Sequence, residues 1–252
     1  MVRRVPPAEA IHLKPATALA DRVLLPGDPH RALAVAQSLL AAPRMFNHHR
    51  GLWGYTGEAP DGRPLTVQST GMGGPSAAVV VEELIDLGAR TLIRIGTCGA
   101  LAPELRLGDL LVVTDALAGD GASVALGAEG RVASDARLTA TLLEAGAARH
   151  STRPAVVAST DLFYDDRGGV AGEWRERGAL AVEMEAATVL RVAQRRGARA
   201  ACVLAVTDLL AAGGQDESRT RIDREGIEAA GIRLGQLAYE GLAAATSARA
   251  RV

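Results

Sequence analysis

Short apolar segments alternate with segments of helical period along most of the chain. The apolar segments predict buried strands at residues 23–25, 65–70, 91–95, 110–114, 155–159 and 200–206. The helical period predicts helices at residues 31–40, 77–87, 183–196 and 226–244. This alternation is typical of one α/β domain over residues 1–252, in which helices flank both faces of a twisted, mixed and largely parallel sheet. The Gly- and Ala-rich stretch 119–130 predicts a surface loop.

Ligands of open α/β sheets bind beyond the carboxyl ends of the strands, so the residues at those ends are candidates for chemistry. The first predicted strand is followed by Gly27, which lets a backbone N–H approach an anion, and by Arg31 in the first helical turn. An ordinary turn with a solvated arginine is the alternative interpretation of these residues.

Arg94 interrupts a predicted strand whose neighbouring residues are apolar. A buried guanidinium is costly unless it is paired, so its partner is either a bound anion or a protein carboxylate. The residues that follow, 96–99, predict a tight polar loop with a hydroxyl and free N–H groups suited to phosphate. A structural ion pair with an acidic side chain is the alternative interpretation of Arg94.

Carboxylates stand at two further element ends. Glu183 and Glu185 are two positions apart at the predicted start of a helix, so they point in different directions. One of them can accept hydrogen bonds from the adjacent hydroxyls of a ribose while the other is structural, although the macrodipole alone favours acids near a helix start. Asp208 ends an apolar strand, which suits a general acid or base, and a turn or helix cap is the alternative.

The composition excludes several classes of function. Because 28 Lys and Arg face 29 Asp and Glu and aromatic residues are only 3%, we expect no nucleic-acid partner. The turn at residues 71–76 lacks the last glycine and the later acid of a dinucleotide fingerprint, so NAD is not expected. No residues have metal-ligand spacing, and Cys98 and Cys202 predict buried, reduced thiols. With no apolar run of about 18 residues and no signal peptide, we expect a soluble cytoplasmic protein without metal, cofactor or membrane partner.

Together these motifs resemble one family. The chain is similar to the nucleoside phosphorylase family that contains hexameric bacterial purine nucleoside phosphorylase, uridine phosphorylase and archaeal methylthioadenosine phosphorylase. The likeness runs from His12 to the last predicted helix and rests on ordered landmarks. These are residues 26–29 (PGDP), 47–57 with Arg50, 71–76 (GMGGPS), 94–100 (RIGTCGA), 161–164 (DLFY), 182–185 (VEME) and 207–208 (TD).

The resemblance implies phosphorolysis, in which phosphate replaces the base on the sugar and ribose 1-phosphate is formed. Inorganic phosphate is then a co-substrate, and no cofactor is needed. The residues that the family pattern assigns to phosphate are Gly27, Arg31, Arg94, Thr97 and, across a dimer interface, Arg50. The pattern also has the partner subunit lend His12 to the 5′ end of the sugar. A homo-oligomer is therefore implied, with a dimer unit inside a hexamer.

The nucleoside side of the site follows from the same pattern. Met184 and Glu185 resemble the ribose site, in which Glu185 holds the 2′- and 3′-hydroxyls. Phe163 resembles the stacking partner of base or sugar, and Asp208 resembles the acid that protonates a purine at N7. The cations that could assist this acid are Arg219, Arg221 and Arg224.

The expected substrate is a purine ribonucleoside, and the choice among 6-oxo, 6-amino and 5′-methylthio purine substrates is left open. Uridine phosphorylases carry a Gln-x-Arg that reads the uracil edge after the Phe-Tyr pair, whereas here Phe163 and Tyr164 are followed by Asp-Asp-Arg-Gly-Gly. An apolar pocket cannot recognise the carbonyls of uracil without donors. Uridine phosphorylase is the alternative, and a nucleoside hydrolase or a non-catalytic nucleoside-binding protein are further rivals.

Overall fold

A computed structural model describes residues 10–149, 152–210 and 220–247 of the chain. These residues form one mixed sheet of eleven strands and seven α-helices. The strands are β1 (Arg22–Pro26), β2 (Ala41–Asn47), β3 (Gly54–Glu58), β4 (Pro64–Gln68), β5 (Thr91–Ala100), β6 (Leu110–Ala118), β7 (Arg131–Ala133), β8 (Thr152–Ser159), β9 (Ala181–Glu183), β10 (Arg199–Leu209) and β11 (Thr220–Arg221). The helices are α1 (Pro29–Leu39), α2 (Gly74–Asp86), α3 (Gly121–Ala125), α4 (Ala136–Arg149), α5 (Val170–Glu176), α6 (Ala186–Arg196) and α7 (Arg224–Ser247).

The centre of the sheet is parallel and its periphery is antiparallel. Strands β4, β1, β5 and β10 run parallel side by side, and the β2–β3 hairpin extends this sheet antiparallel to β4. Beyond β5 and β10 the sheet closes on itself through β6, β8 and β9, so that these five strands form a ring. The mixed sheet predicted from the sequence is confirmed, and β5 and β10 are the strands shared by its flat and closed parts.

The long central strands have apolar side chains on both faces. In β10, Cys202, Leu204 and Val206 pack on the face covered by α2 and α6, while Ala201 and Val203 pack on the opposite face. The second face is covered by α1, α4 and α7. Side chains alternate between faces along a strand, so an unbroken apolar run marks a strand that is buried on both sides. The predicted layer of helices on each face is therefore present.

Three sequence predictions of local structure were wrong. Residues 96–99 form the second half of β5 instead of a loop, because their backbone pairs with β10 on one side and, at Gly99, with β9 on the other. Residues 119–130 contain helix α3, which begins after Asp120, whose side chain accepts the N–H of Ser123 at 2.8 Å. The predicted helix at 183–196 begins only at Ala186, because Glu183 belongs to strand β9.

Candidate active site

A cavity of about 870 Å³ lies at the carboxyl ends of the central strands. It is bordered by the turn after β1, by β5, by the end of β10 and by the first turns of α1 and α7. Eight of the ten site residues predicted from the sequence line it, namely Gly27, Arg31, Arg94, Thr97, Phe163, Met184, Glu185 and Asp208. The other two, His12 and Arg50, are not among the residues that line the cavity of their own chain.

Arg94 is buried in β5 and contacts two carboxylates. Its Nε and Nη2 atoms each lie 2.9 Å from Oε2 of Glu183, and Nη2 also lies 2.5 Å from Oε2 of Glu185. The ion pair considered as an alternative is therefore present. It does not use the whole guanidinium, because Nη1 is buried and has no hydrogen-bond partner. A buried donor without a partner is costly, so Arg94 retains unused N–H groups that an anionic ligand can satisfy.

The space for this guanidinium is provided by a glycine in the same strand. A Cβ atom at Gly96 would lie 2.6 Å from Nη2 of Arg94 and 2.9 Å from Cδ2 of Leu204. Residues two positions apart in a strand face the same side, so the arginine side chain lies over residue 96. A side chain at this position would displace the guanidinium from Glu183 on β9 and from Glu185, the residue before α6.

The two glutamates have different surroundings. The Glu183 carboxylate accepts the hydroxyl of Ser159 at 2.5 Å and the N–H groups of Glu185 and Ala186, both at 2.9 Å. Glu185 instead accepts the N–H of Gly73 at 2.5 Å through Oε1 and contacts Arg94 through Oε2. Glu183 thus holds the start of α6, whereas each Glu185 oxygen retains a lone pair for a ligand hydroxyl.

Charge is concentrated at this end of the cavity. Burial alone would lower the pKa of Arg94, but the carboxylates of Glu185 and Glu183 raise it, so the guanidinium is always charged. Burial lowers the pKa of Arg31; the neighbouring Asp28 opposes this and the positive Arg94 adds to it. Burial raises the pKa of Glu185 against the opposing charge of Arg94. An anion bound beside Arg31 and Arg94 would relieve the repulsion between the two cations.

The turn after β1 adds backbone donors to the same region. Asp28 caps α1 by accepting the N–H of Arg31 at 2.8 Å, and Pro29 occupies the first helical position. The helix therefore directs its positive end, its first free N–H groups and the side chain of Arg31 towards the cavity that Gly27 borders.

Asp208 lies at a β-bulge near the end of β10. The register between β10 and β5 shifts between Val206 and Asp208, and such bulges re-aim side chains. The buried carboxylate accepts the hydroxyl of Thr207 at 2.8 Å, and Nε of Arg221 lies 3.6 Å from its Oδ1. Of the three arginines considered as helpers, Arg221 contacts Asp208 and Arg224 lines the cavity, whereas Arg219 lies outside the described residues.

Several lining residues were not predicted. Glu183 borders the cavity next to Met184, and its role as the partner of Arg94 could have been inferred from the need to pair a buried arginine. His30 and Leu210 also line the cavity. His30 precedes Arg31 in the first turn of α1 and is exposed, so nothing in the sequence distinguishes it from a surface residue.

His12 and Arg50 lie together on another part of the surface. Nδ1 of His49 donates to the carbonyl oxygen of His12 at 3.0 Å, and Arg50 follows in the same short 3₁₀ turn with a φ of 58°. Asn47 joins the two segments by accepting the N–H of Lys14 at 2.9 Å. The structure therefore links these two residues to each other and leaves both outside the cavity.

Within residues 10–149, 152–210 and 220–247, no three His, Cys, Asp or Glu side chains are grouped as metal ligands. In the same ranges no helix is long and apolar enough to cross a bilayer.

Comparison with known proteins identifies the family. A sequence profile described as Phosphorylase superfamily matches residues 21–243. The purine nucleoside phosphorylase DeoD-type of Alkaliphilus metalliredigens is 38% identical over 212 residues, covering 81% of this chain and 88% of that protein. The protein of the same name from Geobacillus kaustophilus is 36% identical, covering 81% of this chain and 87% of its own. The uridine phosphorylase of Escherichia coli is 37% identical over 203 residues, covering 74% of this chain and 79% of that enzyme. With this coverage, and with the sheet and cavity described above, the chain belongs to the Phosphorylase superfamily, among the nucleoside phosphorylases.

Proposed function

We propose that this protein cleaves purine ribonucleosides with inorganic phosphate, giving the free base and ribose 1-phosphate. The observation that carries the proposal is a single cavity lined by Arg31, by Asp208 and by the buried Arg94, whose Nη1 has no hydrogen-bond partner. An anion site and an acid in one cavity are what phosphorolysis requires. The phosphate attacks the sugar carbon, and the departing base takes up a proton.

The proposed phosphate site combines two arginines with a helix N-terminus. Arg94 offers Nη1, Arg31 offers its side chain, and Thr97 offers a hydroxyl beside Gly27. Charge-assisted hydrogen bonds from arginines offset the desolvation of a phosphate dianion and hold it in position for attack. We assign Arg50 of a neighbouring subunit to the same phosphate.

The proposed ribose site is centred on Glu185. Its carboxylate is fixed by Gly73 and Arg94 and lines the cavity, so it can accept hydrogen bonds from the 2′- and 3′-hydroxyls. Met184 and Phe163 border the same space and supply apolar contacts to the sugar and base.

The proposed general acid is Asp208. In this step Asp208 first takes up a proton from solvent. When the glycosidic bond breaks, its electron pair moves to the base, and N7 of the purine takes that proton from the Asp208 carboxyl group. The carboxylate left behind is stabilised by Arg221 and by the hydroxyl of Thr207. General acid catalysis of this kind typically contributes about 10²–10⁴-fold to the rate.

We further propose a homo-oligomer built from dimers, with a hexamer as the full assembly. The support is that His12 and Arg50, which the family pattern places at the substrate, lie outside the cavity of their own chain. A symmetric dimer in which each subunit lends this surface to the other would complete both sites. We also propose a cytoplasmic location, which the two free, buried cysteines favour, and no nucleic-acid, membrane, metal or cofactor partner.

A substrate panel tests the proposal. Inosine, adenosine, 5′-methylthioadenosine and uridine are each incubated with the protein, with and without phosphate, and ribose 1-phosphate is followed by phosphorus NMR. Phosphate-dependent release of purine bases is the expected result. Faster turnover of uridine would identify a uridine phosphorylase, and equal base release without phosphate would identify a hydrolase. Binding without turnover of any nucleoside would identify a binding protein.

A further inference from the structure

Glu83 of helix α2 is bonded to three consecutive residues of the segment that precedes β1. Its carboxylate oxygens accept the backbone N–H groups of Ile11, His12 and Leu13 at 3.1, 3.0 and 2.8 Å. Oε1 also lies 2.7 Å from Nδ1 of the His12 ring. One half-buried side chain thus fixes both the backbone and the imidazole of His12.

The hydrogen-bond pattern determines which ring nitrogen of His12 carries the proton. Burial alone would raise the pKa of Glu83, but the hydrogen bonds from His12 and from the backbone lower it, so the group is a carboxylate at neutral pH. A carboxylate can only accept hydrogen bonds, so Nδ1 of His12 must be the donor. In the neutral ring Nε2 then carries a lone pair and accepts hydrogen bonds. No group among the described residues is bonded to Nε2, and the side chain is 31% exposed.

We propose that Glu83 is a positioning residue, which presents Nε2 of His12 as a hydrogen-bond acceptor and thereby selects nucleosides that carry a 5′-hydroxyl. This inference rests on the proposed function, in which His12 reaches the 5′ end of the sugar bound by a neighbouring subunit. A 5′-hydroxyl can donate to Nε2, whereas a 5′-methylthio or 5′-deoxy carbon cannot. A substrate without the 5′-hydroxyl leaves Nε2 of His12 without a hydrogen-bond donor. The loss of this hydrogen bond corresponds to about a tenfold preference for the substrate that carries the hydroxyl.

The test compares paired substrates in one matched set of variants. The substrates are adenosine and 5′-deoxyadenosine, which differ only in the 5′-hydroxyl. The variants are Glu83→Gln, His12→Ala, their double mutant and Glu82→Gln. Glu82 precedes Glu83 on α2 and pairs with Arg196 on the surface, so it is a control for removing one charge from this helix.

A selective loss is the expected result. We expect the wild-type protein to prefer adenosine about tenfold in kcat/KM, and Glu83→Gln to reduce this preference to near unity while leaving kcat/KM for 5′-deoxyadenosine within about twofold of wild type. We expect His12→Ala to remove the preference as well, the double mutant to lose no further preference, and Glu82→Gln to keep it. An equal loss on both substrates in Glu83→Gln, or additive losses in the double mutant, would overturn the inference.

A second measurement uses the unmodified protein and does not depend on whether Glu83→Gln folds. Nitrogen NMR of ¹⁵N-histidine-labelled protein, with the His12 signals assigned by their absence in His12→Ala, reports the tautomer directly. Protonated Nδ1 is expected, and protonated Nε2 in the neutral ring would overturn the role of Glu83. If wild-type protein turns over neither substrate with phosphate, the proposed function itself fails. If turnover is normal but the preference is absent, only this inference fails.

Discussion

Replacing Arg94 by methionine tests the buried charge cluster at the centre of the candidate site. The side chains of Arg94, Glu183 and Glu185 are only 4%, 1% and 7% exposed. Methionine fills much of the same space and carries no charge, so two buried carboxylates lose the cation that contacts both of them. Removing one partner of a buried ion pair typically costs about 3–5 kcal/mol. Domains are stable by only about 5–15 kcal/mol, so the loss is readily measured.

The loss should depend on pH, and its direction follows from the buried acids. Burial raises the pKa of Glu185 even when the charge of Arg94 opposes it, and the variant no longer has that opposing charge. A group with a higher pKa in the folded state than in the unfolded state binds its proton preferentially in the folded state. The folded variant is therefore stabilised as the pH falls, by up to about 1.4 kcal/mol per pH unit for one proton.

Urea unfolding is followed by circular dichroism at about pH 8 and about pH 6, at one fixed protein concentration. It measures the free energy of unfolding that Arg94→Met loses and the change of that loss with pH. Arg22→Met is the matched control, because Arg22 is equally buried but pairs with Asp61, whose side chain is 23% exposed and can regain water. The hydrogen bond from Arg22 lowers the pKa of Asp61. In Arg22→Met this pKa therefore rises only towards its ordinary value, which lies below the pH range of the measurement. The loss in free energy of unfolding could be as independent of pH in Arg94→Met as in Arg22→Met, or it could be less than about 1 kcal/mol. Either result would show that Arg94 does not compensate the charges of Glu183 and Glu185.

Three further predictions concern catalysis, packing and acid stability. Asp208→Asn should lower kcat for inosine phosphorolysis at least ~10-fold, and near-normal turnover would remove this residue from the mechanism. Gly74→Ala should reduce the free energy of unfolding by about 1–3 kcal/mol, because its Cβ would lie 2.7 Å from Asp120 Oδ2 and 2.8 Å from Thr188 Oγ1; an unchanged urea midpoint would contradict this packing. Asp61→Asn should lower stability at pH 7 by about 1–2 kcal/mol, and the difference should disappear as the pH falls through the lowered pKa of Asp61. A difference that does not shrink as the pH is lowered would show that the carboxylate charge is not its cause.

The sequence was informative wherever one element decided the outcome. The apolar runs located β1, β5 and β10, and the rule that ligands lie beyond strand ends led to Gly27, Arg94 and Asp208, all of which border one cavity. The strand predictions are confirmed, because a strand buried on both faces must be apolar throughout. For the same reason an arginine inside such a strand, or an acid at its end, is conspicuous.

The sequence was uninformative where remote partners decided the outcome. The glycines at 96 and 99 suggested a loop, but pairing with β9 and β10 makes the segment a strand. Helix α4 and the β2–β3 hairpin were not predicted either. In the hairpin, most β2 residues are exposed and show little alternation of apolar and polar residues. The contact between Glu83 and His12 joins residues 71 positions apart and left no signal in either segment.

The glycine beneath the Arg94 guanidinium has a consequence for how this family of sequences can vary. Gly96 touches no ligand in the proposed mechanism, yet any side chain there would occupy the volume that the cation fills. Alanine at 96 would require a shorter side chain at 94, and a shorter side chain at 94 would leave a void over the glycine. Positions 94 and 96 are therefore free to change only in concert, and a member of the family that has lost one should have lost the other.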